Sequence, residues 1–216
     1  MPGLKVIFDL RSAPEIKRDG PEWAGVEVNK TDVFEPHGIT RQWVPVFKEA
    51  DYGPEQIALR YKEYARSGSE GFVKAYHDIA ENGTKCYGTI FRHLAQENPS
   101  PCLVHCTAGK DRTGVLVAFL FMLADVPDET IAEEYSLTDQ GLAALKPLFR
   151  ERLLKNPVLQ GNREGVNNMT SSKKENMLAS LGMLRRDFGG AEGYIKTCCG
   201  LSDQEVDQLR KNLLQS

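Results

Sequence analysis

The residues best suited to chemistry lie between residues 102 and 114, where the sequence reads CLVHCTAGKDRTG. Cys106 follows a short apolar segment that predicts a strand, and Arg112 comes six residues later. Gly109 and Gly114 permit a tight turn and a close approach of the backbone. A strand, a tight loop and a helix in this order direct several backbone N–H groups at one centre, together with the helix N-terminus. Such a centre suits a tetrahedral oxyanion.

The loop also predicts a nucleophile. Thiolates attack far more readily than thiols, and the helix N-terminus, with Lys110 and Arg112 close by, favours the thiolate of Cys106. Its attack on a phosphoryl group would form a cysteinyl-phosphate. The planar guanidinium of Arg112 can pair with two phosphoryl oxygens at once. The predicted phosphate site consists of Cys106, Thr107, Ala108, Gly109, Lys110, Asp111 and Arg112.

A second cysteine has the same spacing to an arginine, and it serves as an internal comparison. Cys86 precedes Arg92 by six residues, but no strand comes before it. Cys86, Ile90 and Leu94 recur at the spacing of one helix face. We therefore interpret Cys86 as a core residue, because a free cysteine packs as a small hydrophobe.

Of the other cysteines, Cys198 and Cys199 are interpreted as structural, and Cys102 is not expected to form a disulfide with Cys106. Cys102 lies four strand residues before Cys106, which is about 13 Å in extended geometry and too far for a disulfide. Cys198 and Cys199 are adjacent near a predicted helix end. The scattered histidines show no spacing typical of metal ligands.

Length and composition indicate one soluble domain. The chain has 216 residues, 41% of them hydrophobic, and a formal net charge of -3. This charge does not favour the broad basic surface of a nucleic-acid-binding protein. The longest apolar run, residues 115–124, is half the length that a membrane span needs. Five cysteines without a secretory signal predict reduced thiols and a cytoplasmic location.

The elements around the loop predict an α/β domain. Apolar, β-branched segments predict strands at residues 4–10, 25–28, 40–47 and 102–105. Pro45 makes the third of these an edge or irregular strand. The helices predicted in the first two thirds of the chain cover residues 54–65, 71–81, 84–96, 113–123 and 128–135.

The C-terminal half is predicted to be helical. Ser172 and Glu175, and likewise Ser202 and Glu205, have capping-box spacing. The first pair opens a helix over residues 173–188, and the second opens the last helix of the chain. Residues 156–170 are rich in polar residues and glycine and are predicted to form a mobile loop.

The HCTAGKDRTG block resembles the phosphate-binding loop of the protein tyrosine phosphatase superfamily. Its GKDRTG form is similar to the atypical branch of fungi and bacteria, some members of which also dephosphorylate phosphoinositides. The resemblance continues through FDLRS at residues 8–12, EEYSLT at residues 133–138 and the helical C-terminal tail. It implies a small, mostly parallel sheet flanked by helices, with the catalytic loop at the strand ends.

The resemblance also implies roles for individual residues. Cys106 is the expected nucleophile and Arg112 the phosphate clamp. His105 is expected to orient the loop, and Thr113 to support the thiolate by a hydrogen bond, with Gly114 as a further supporting residue. The resemblance implies neither a metal ion nor another cofactor.

The general acid is open between several carboxylates. Asp111 resembles the acid proposed for the family, which protonates the leaving oxygen. Asp9 is a second candidate because it ends the first strand, and parallel sheets gather ligands at their carboxyl ends. Asp51 or another loop carboxylate is a third. Lys110 resembles the loop lysine linked to multiply charged substrates, and Arg11 is either a supporting residue or a salt-bridged arginine.

The chain departs from the family at its beginning. The family usually carries some 30 residues before the DLR strand, whereas Met1 stands directly before it here. Residues 1–216 are therefore predicted to form a single domain that lacks the family's usual N-terminal segment. A shortened chain, an alternative start or a second chain, as in a homodimer, would each explain this difference.

The expected partner is a phosphorylated substrate. Phosphotyrosine, a phosphoinositide, an inositol phosphate and an isoprenoid diphosphate all present a compatible phosphoryl group. A phosphate-binding protein without turnover is the alternative from a different functional class. Substrate choice is expected to depend on residues 13–24, 29–38, 48–54 and 156–170.

Overall fold

The computed structural model describes residues 3–17, 34–48 and 54–214. Within these ranges three parallel strands form one sheet, β1 (Val6–Asp9), β2 (Thr40–Trp43) and β3 (Cys102–His105), in the order β2-β1-β3. This confirms the predicted small parallel sheet. β2 lies at an edge and ends two residues before Pro45, which cannot donate to a ladder. The predicted strand at residues 25–28 lies outside the described residues.

The register brings the ends of the strands together. Asp9 at the end of the central strand pairs with Trp43 of β2 and with His105 of β3. Because the strands are parallel, the segments that follow them emerge at the same edge of the sheet. Leu10 and Cys106 are the first residues beyond β1 and β3 there.

Helices surround the sheet and fill most of the chain. Their bounds are α1 (Ala13–Lys17), α2 (Pro54–Tyr64), α3 (Glu70–Asn82), α4 (Thr84–Leu94), α5 (Asp111–Leu123), α6 (Asp128–Ser136), α7 (Thr138–Gly141), α8 (Lys146–Leu154), α9 (Arg163–Met169), α10 (Lys174–Phe188), α11 (Gly190–Gly193) and α12 (Asp203–Leu214). A 3-10 turn at Glu35–His37 and a π-helical turn at Tyr194–Cys198 complete the described elements. The predicted helical C-terminal half is confirmed.

The core forms where the apolar helix α5 packs against β3, α3, α6 and α11. Phe119 of α5 stacks on the ring of Tyr194 with the centroids 4.1 Å apart. On the sheet, Phe8 is fully buried and meets the ring of His93 of α4 edge to face. None of the described helices is long and apolar enough to cross a membrane.

Residues 156–170 differ from the predicted loop, because they contain helix α9. The side chain of Asn162 caps this helix by accepting a hydrogen bond from the N–H of Gly165 at 2.9 Å. Val166 is buried, whereas the polar residues around it dominate the sequence pattern. A seven-residue helix with so short an apolar face gives a weak periodic signal.

The two predicted capping boxes have different outcomes. The N–H of Ser202 donates to Glu205 Oε2 at 2.8 Å, and the N–H of Glu205 donates back to Ser202 Oγ at 3.3 Å, which confirms that box. The prediction of a capping box at Ser172 is wrong. The N–H of Ser172 donates instead to Asp139 Oδ1 at 2.7 Å, and α10 begins with no side-chain cap. A tertiary partner has replaced the local one.

Candidate active site

The loop that follows β3 adopts the predicted strand–loop–helix arrangement. Cys106 is 6% exposed at the end of β3, and Gly109 has φ +66°, in the left-handed region that favours glycine. Helix α5 begins at Asp111, two residues earlier than predicted. Arg112 therefore lies in the first turn of α5, and the N-terminus of this helix borders the loop.

Gly114 allows α5 to pack closely against α6. A Cβ atom at this position would lie 3.3 Å from the ring of Tyr135. The close contact supports the position of the helix that carries Arg112, and the supporting role of Gly114 in catalysis stays a prediction.

Arg112 is held by a carboxylate that the sequence prediction did not include. Its Nη1 donates to Glu15 Oε2 and its Nη2 to Glu15 Oε1, both at 2.7 Å. The two side chains are 11% and 13% exposed. The hydroxyl of Tyr87 also donates to the main-chain carbonyl of Arg112 at 2.6 Å. The two bonds to Glu15 fix the guanidinium plane beside the loop, and the bond from Tyr87 holds the main chain of Arg112.

Glu15 is itself saturated with hydrogen-bond donors. The N–H of Ser12 donates to Oε2 at 2.9 Å and the hydroxyl of Ser12 at 2.8 Å, and the hydroxyl of Thr107 donates to Oε1. Burial by itself raises the pKa of Glu15. The hydrogen bonds and charge of Arg112 outweigh burial and hold the pKa well below its usual range.

A sequence signal for Glu15 exists, because Ser12 and Glu15 have capping-box spacing at the start of α1. Its second role, as the partner of Arg112, depends on residues 97 positions apart and has no local signature.

Replacing Glu15 by glutamine is expected to destabilise the fold and slow turnover, because Arg112 loses its buried counter-charge. Removing one partner of such a pair costs about 3 kcal/mol. Since the folded-state pKa is depressed, this stabilisation is complete above the ordinary glutamate value of 4.5 and is lost as the pH falls. Denaturant unfolding between about pH 3 and pH 7 measures it. A difference between the two proteins that stays constant with pH would contradict the ion pair.

Asp9 forms a second buried centre at the same edge of the sheet. Arg11 donates to its Oδ1 through the main-chain N–H at 3.0 Å and through Nε at 2.9 Å. Arg41 donates to Oδ2 through Nη2 at 2.5 Å. Burial raises the pKa of Asp9, but the bonds from both arginines lower it to about 2. Asp9 thus remains an ionised acceptor. Of the two interpretations of Arg11, supporting residue or salt-bridged arginine, the structure shows the salt-bridged arginine.

Asp111 and Lys110 contact each other beside the loop. Lys110 Nζ lies 2.9 Å from Asp111 Oδ1, and the hydroxyl of Tyr76 donates to the same oxygen at 2.9 Å. The Asp111 side chain is 26% exposed. Lys110 is 4% exposed and donates to the carbonyls of Met169 and Ser171. The ammonium group of Lys110 thus contacts acceptors inside the protein, whereas the family resemblance predicts contact with a multiply charged substrate.

The two remaining predicted site residues flank the loop. Nδ1 of His105 lies 3.1 Å from the carbonyl oxygen of Cys106 and its Nε2 lies 3.8 Å from Asp9 Oδ2, which fits an orienting role. The hydroxyl of Thr113 is buried without a hydrogen-bond partner among the described residues. Its bond to the thiolate stays a prediction. The third acid candidate, Asp51, lies outside the described residues.

The internal comparison pair forms no site. Cys86 is 4% exposed within α4, and burial raises the pKa of its thiol far above the usual range. Arg92 donates to the carbonyls of Cys199 and Gly200 at 2.9 and 3.1 Å. The core interpretation of Cys86 is confirmed, and all five cysteines, each within the described ranges, are free thiols.

Known proteins resemble this chain over nearly its whole length. A model of the tyrosine phosphatase family matches residues 2–215. A tyrosine-protein phosphatase of Nostoc commune is 33% identical over 217 residues, covering 99% of this chain and 67% of that protein. The triple specificity protein phosphatase PtpB of Mycobacterium tuberculosis is 22% identical over 240 residues, covering 98% of this chain and 83% of PtpB. The matched region contains the loop, Glu15 and the helical C-terminal half.

Proposed function

Because the chain belongs to the tyrosine phosphatase family, we propose that it hydrolyses phosphotyrosine, phosphoinositides or both through a cysteinyl-phosphate intermediate. The observation that carries this mechanism is Cys106 at the end of β3, with the guanidinium of Arg112 fixed by Glu15 beside the same loop. A nucleophile and an oxyanion clamp on one rigid loop are what phosphoryl transfer requires.

The first step transfers the phosphoryl group to sulfur. The Cys106 thiolate attacks phosphorus, an S–P bond forms and the ester P–O bond breaks. Asp111 gives its proton to the leaving oxygen, which departs as an alcohol or phenol, and Asp111 becomes a carboxylate. The planar guanidinium of Arg112 has five N–H donors, of which two bond to Glu15, and it pairs with two phosphoryl oxygens through others. The loop N–H groups and the N-terminus of α5 favour the charge on the remaining oxygens.

The second step returns the enzyme to its starting state. A water molecule attacks the phosphocysteine, and the Asp111 carboxylate takes one of its protons. The S–P bond breaks, inorganic phosphate leaves, and the Cys106 thiolate is regenerated. One aspartate thus serves as acid in the first step and base in the second.

Asp111 rather than Asp9 is the proposed acid. Asp9 is fully buried and ionised between Arg11 and Arg41, with a pKa of about 2, so it holds no proton to give at neutral pH. Asp111 is partly exposed next to the loop. Asp9 instead holds the strand ends together.

The substrate range is tested by phosphate release from four classes of ester, assayed with EDTA present. These are a phosphotyrosine peptide, a phosphoinositide, an inositol phosphate and an isoprenoid diphosphate. The relative named as a triple specificity phosphatase supports the inclusion of more than phosphotyrosine. Turnover of the isoprenoid diphosphate or the inositol phosphate alone would contradict the proposed substrates.

Replacing Asp111 by asparagine is expected to affect the esters of this panel unequally. An alkyl leaving group, as in a phosphoinositide, needs a proton far more than a nitrophenolate does. The loss should approach the factor of about 10² to 10⁴ that general acid catalysis supplies for alkyl esters, and be much smaller for p-nitrophenyl phosphate. The basic limb of the pH–rate profile should disappear.

The matched control is Asp9 to asparagine, whose loss should be smaller and the same for both leaving groups. Rates across pH for the two variants and two substrates decide the matter. If the Asp9 variant carries the leaving-group dependence and the Asp111 variant does not, the two roles must be exchanged.

A further inference from the structure

Two donors converge on one oxygen of Asp111. The hydroxyl of Tyr76 and the ammonium of Lys110 both lie 2.9 Å from Oδ1. The structure shows no hydrogen bond from any described residue to Oδ2. The carboxyl group is therefore fixed through one oxygen, while the other is left to carry a proton.

Lys110 uses its whole donor capacity inside the protein. An ammonium group has three N–H donors. Three acceptors surround Nζ, the carbonyls of Met169 and Ser171 at 3.1 Å each and Asp111 Oδ1 at 2.9 Å. Nζ also lies 4.8 Å from the centroid of the Phe72 ring, over its face. To bind a second phosphate of a substrate, Lys110 would have to give up one of these partners.

Tyr76 is fixed by a second tyrosine. The hydroxyl oxygens of Tyr76 and Tyr135 are 2.5 Å apart, and both side chains are buried. The hydroxyl of Tyr76 has one hydrogen, which it uses in the hydrogen bond that it donates to Asp111. In the hydrogen bond between the two tyrosines, the hydroxyl of Tyr135 is therefore the donor and Tyr76 the acceptor. Burial, followed by the charge of Asp111, raises the pKa of Tyr76 well above its usual value. Tyr76 thus remains a neutral donor.

The groups that face Asp111 come from several elements. They are Lys110 in the loop, Arg112 in the first turn of α5, Tyr64 of α2, Tyr76 of α3 and Tyr135 of α6. Arg112 already has a counter-charge in Glu15. Lys110, whose Nζ lies 2.9 Å from Oδ1, is therefore the cation that faces the charge developing on Asp111 as its proton leaves.

We propose that Tyr76 and Lys110 are positioning residues for Asp111, holding Oδ1 so that Oδ2 delivers the proton to the leaving oxygen. As that proton leaves, negative charge develops on the carboxylate, and both donors stabilise it. Lys110 thereby acts on the acid and not on a second phosphate of the substrate. This inference rests on the proposed function, in which Asp111 is the general acid.

The test is Tyr76 to phenylalanine, with pH–rate profiles of kcat/KM for p-nitrophenyl phosphate and for an alkyl phosphate. Loss of a donor to a carboxylate lets the protonated form persist to higher pH. The basic limb should therefore move upward by about one pH unit, the scale of a hydrogen bond to a charged group. The kcat should fall more for the alkyl ester than for the aryl ester, and KM should change little.

The matched control is Tyr194 to phenylalanine. Tyr194 is also buried, and its hydroxyl donates at 2.6 Å to the carbonyl of Ala80, which lies in the same helix as Tyr76. Like the Tyr76 variant, this variant loses a buried hydroxyl, but that hydroxyl bonds to α3 and makes no contact with Asp111. An equal movement of the basic limb in both variants would overturn the proposal.

Lys110 to methionine provides a second, independent variant. The limb should again move upward, and turnover should fall for singly and multiply phosphorylated substrates alike. A loss confined to KM for phosphoinositides would instead make Lys110 a substrate ligand and overturn its positioning role.

The pH–rate profile of the Asp111 to asparagine variant distinguishes a failure of the proposed mechanism from a failure of the proposed positioning roles. If its basic limb persists, Asp111 is not the acid, and the mechanism and the positioning roles fall together. If that limb disappears but stays unmoved in the Tyr76 and Lys110 variants, the mechanism stands and the positioning roles are wrong.

Discussion

Serine at position 106 is expected to abolish turnover while oxyanion binding persists. The hydroxyl of serine has nearly the shape of the thiol but remains protonated at neutral pH. It is therefore too weak a nucleophile to attack phosphorus and form the covalent intermediate. We expect a loss of at least about 10⁴ in kcat. Arg112, Glu15 and the loop N–H groups stay in place. Initial rates with p-nitrophenyl phosphate and calorimetric titration with tungstate measure the two properties separately.

The chain supplies a matched control in Cys86 to serine. Cys86 has the same spacing to an arginine but lies in the core at 4% exposure. Its replacement should lower stability and leave kcat and KM nearly unchanged. Residual activity within tenfold of wild type in the Cys106 variant would remove Cys106 from the mechanism.

Lysine at position 112 is expected to reduce kcat/KM by about 10² to 10³, the loss that removal of one oxyanion donor produces. Lysine keeps the positive charge but has no planar fork. Two of the five N–H donors of Arg112 bond to Glu15, at 2.7 Å each. The variant should therefore lose both the alignment by Glu15 and the two-point grip on phosphate.

The corresponding control is Arg92 to lysine, since Arg92 donates to the carbonyls of Cys199 and Gly200. It should change stability more than kinetics. Steady-state rates with an aryl phosphate compare the two. A fall of less than about tenfold in the Arg112 variant, or an equal fall in both, would show that Arg112 is not the clamp.

Some properties of this protein follow from short stretches of sequence. The order of strand, glycine-bearing loop and helix around Cys106 can be predicted from local sequence. Each of the three elements is recognisable from a few neighbouring residues, by its apolar pattern or its glycines. For the same reason, the helical spacing around Cys86 was enough to separate it from Cys106. The small parallel sheet and the helical C-terminal half were also predictable, the former through resemblance to a family.

Boundaries and short polar elements were less predictable. The sequence predicts a loop where helix α9 lies, because the seven residues of this helix bury little apolar surface. The expected cap at Ser172 gave way to Asp139, 33 residues earlier in the chain. In both cases the deciding contacts come from other elements, and these leave no periodic pattern in the segment itself.

The partners of the candidate site residues were decided by the tertiary structure. Glu15 reaches Arg112 across 97 positions, and Arg41 reaches Asp9 across 32. Tyr76 reaches Asp111 across 35 positions, and Ser171 accepts from Lys110 across 61. The sequence determined which side chains could act as nucleophile, clamp and acid. Folding determined which carboxylate is buried as an ion-pair partner and which is left partly exposed beside the loop, because burial and charge pairing depend on what surrounds a group in space.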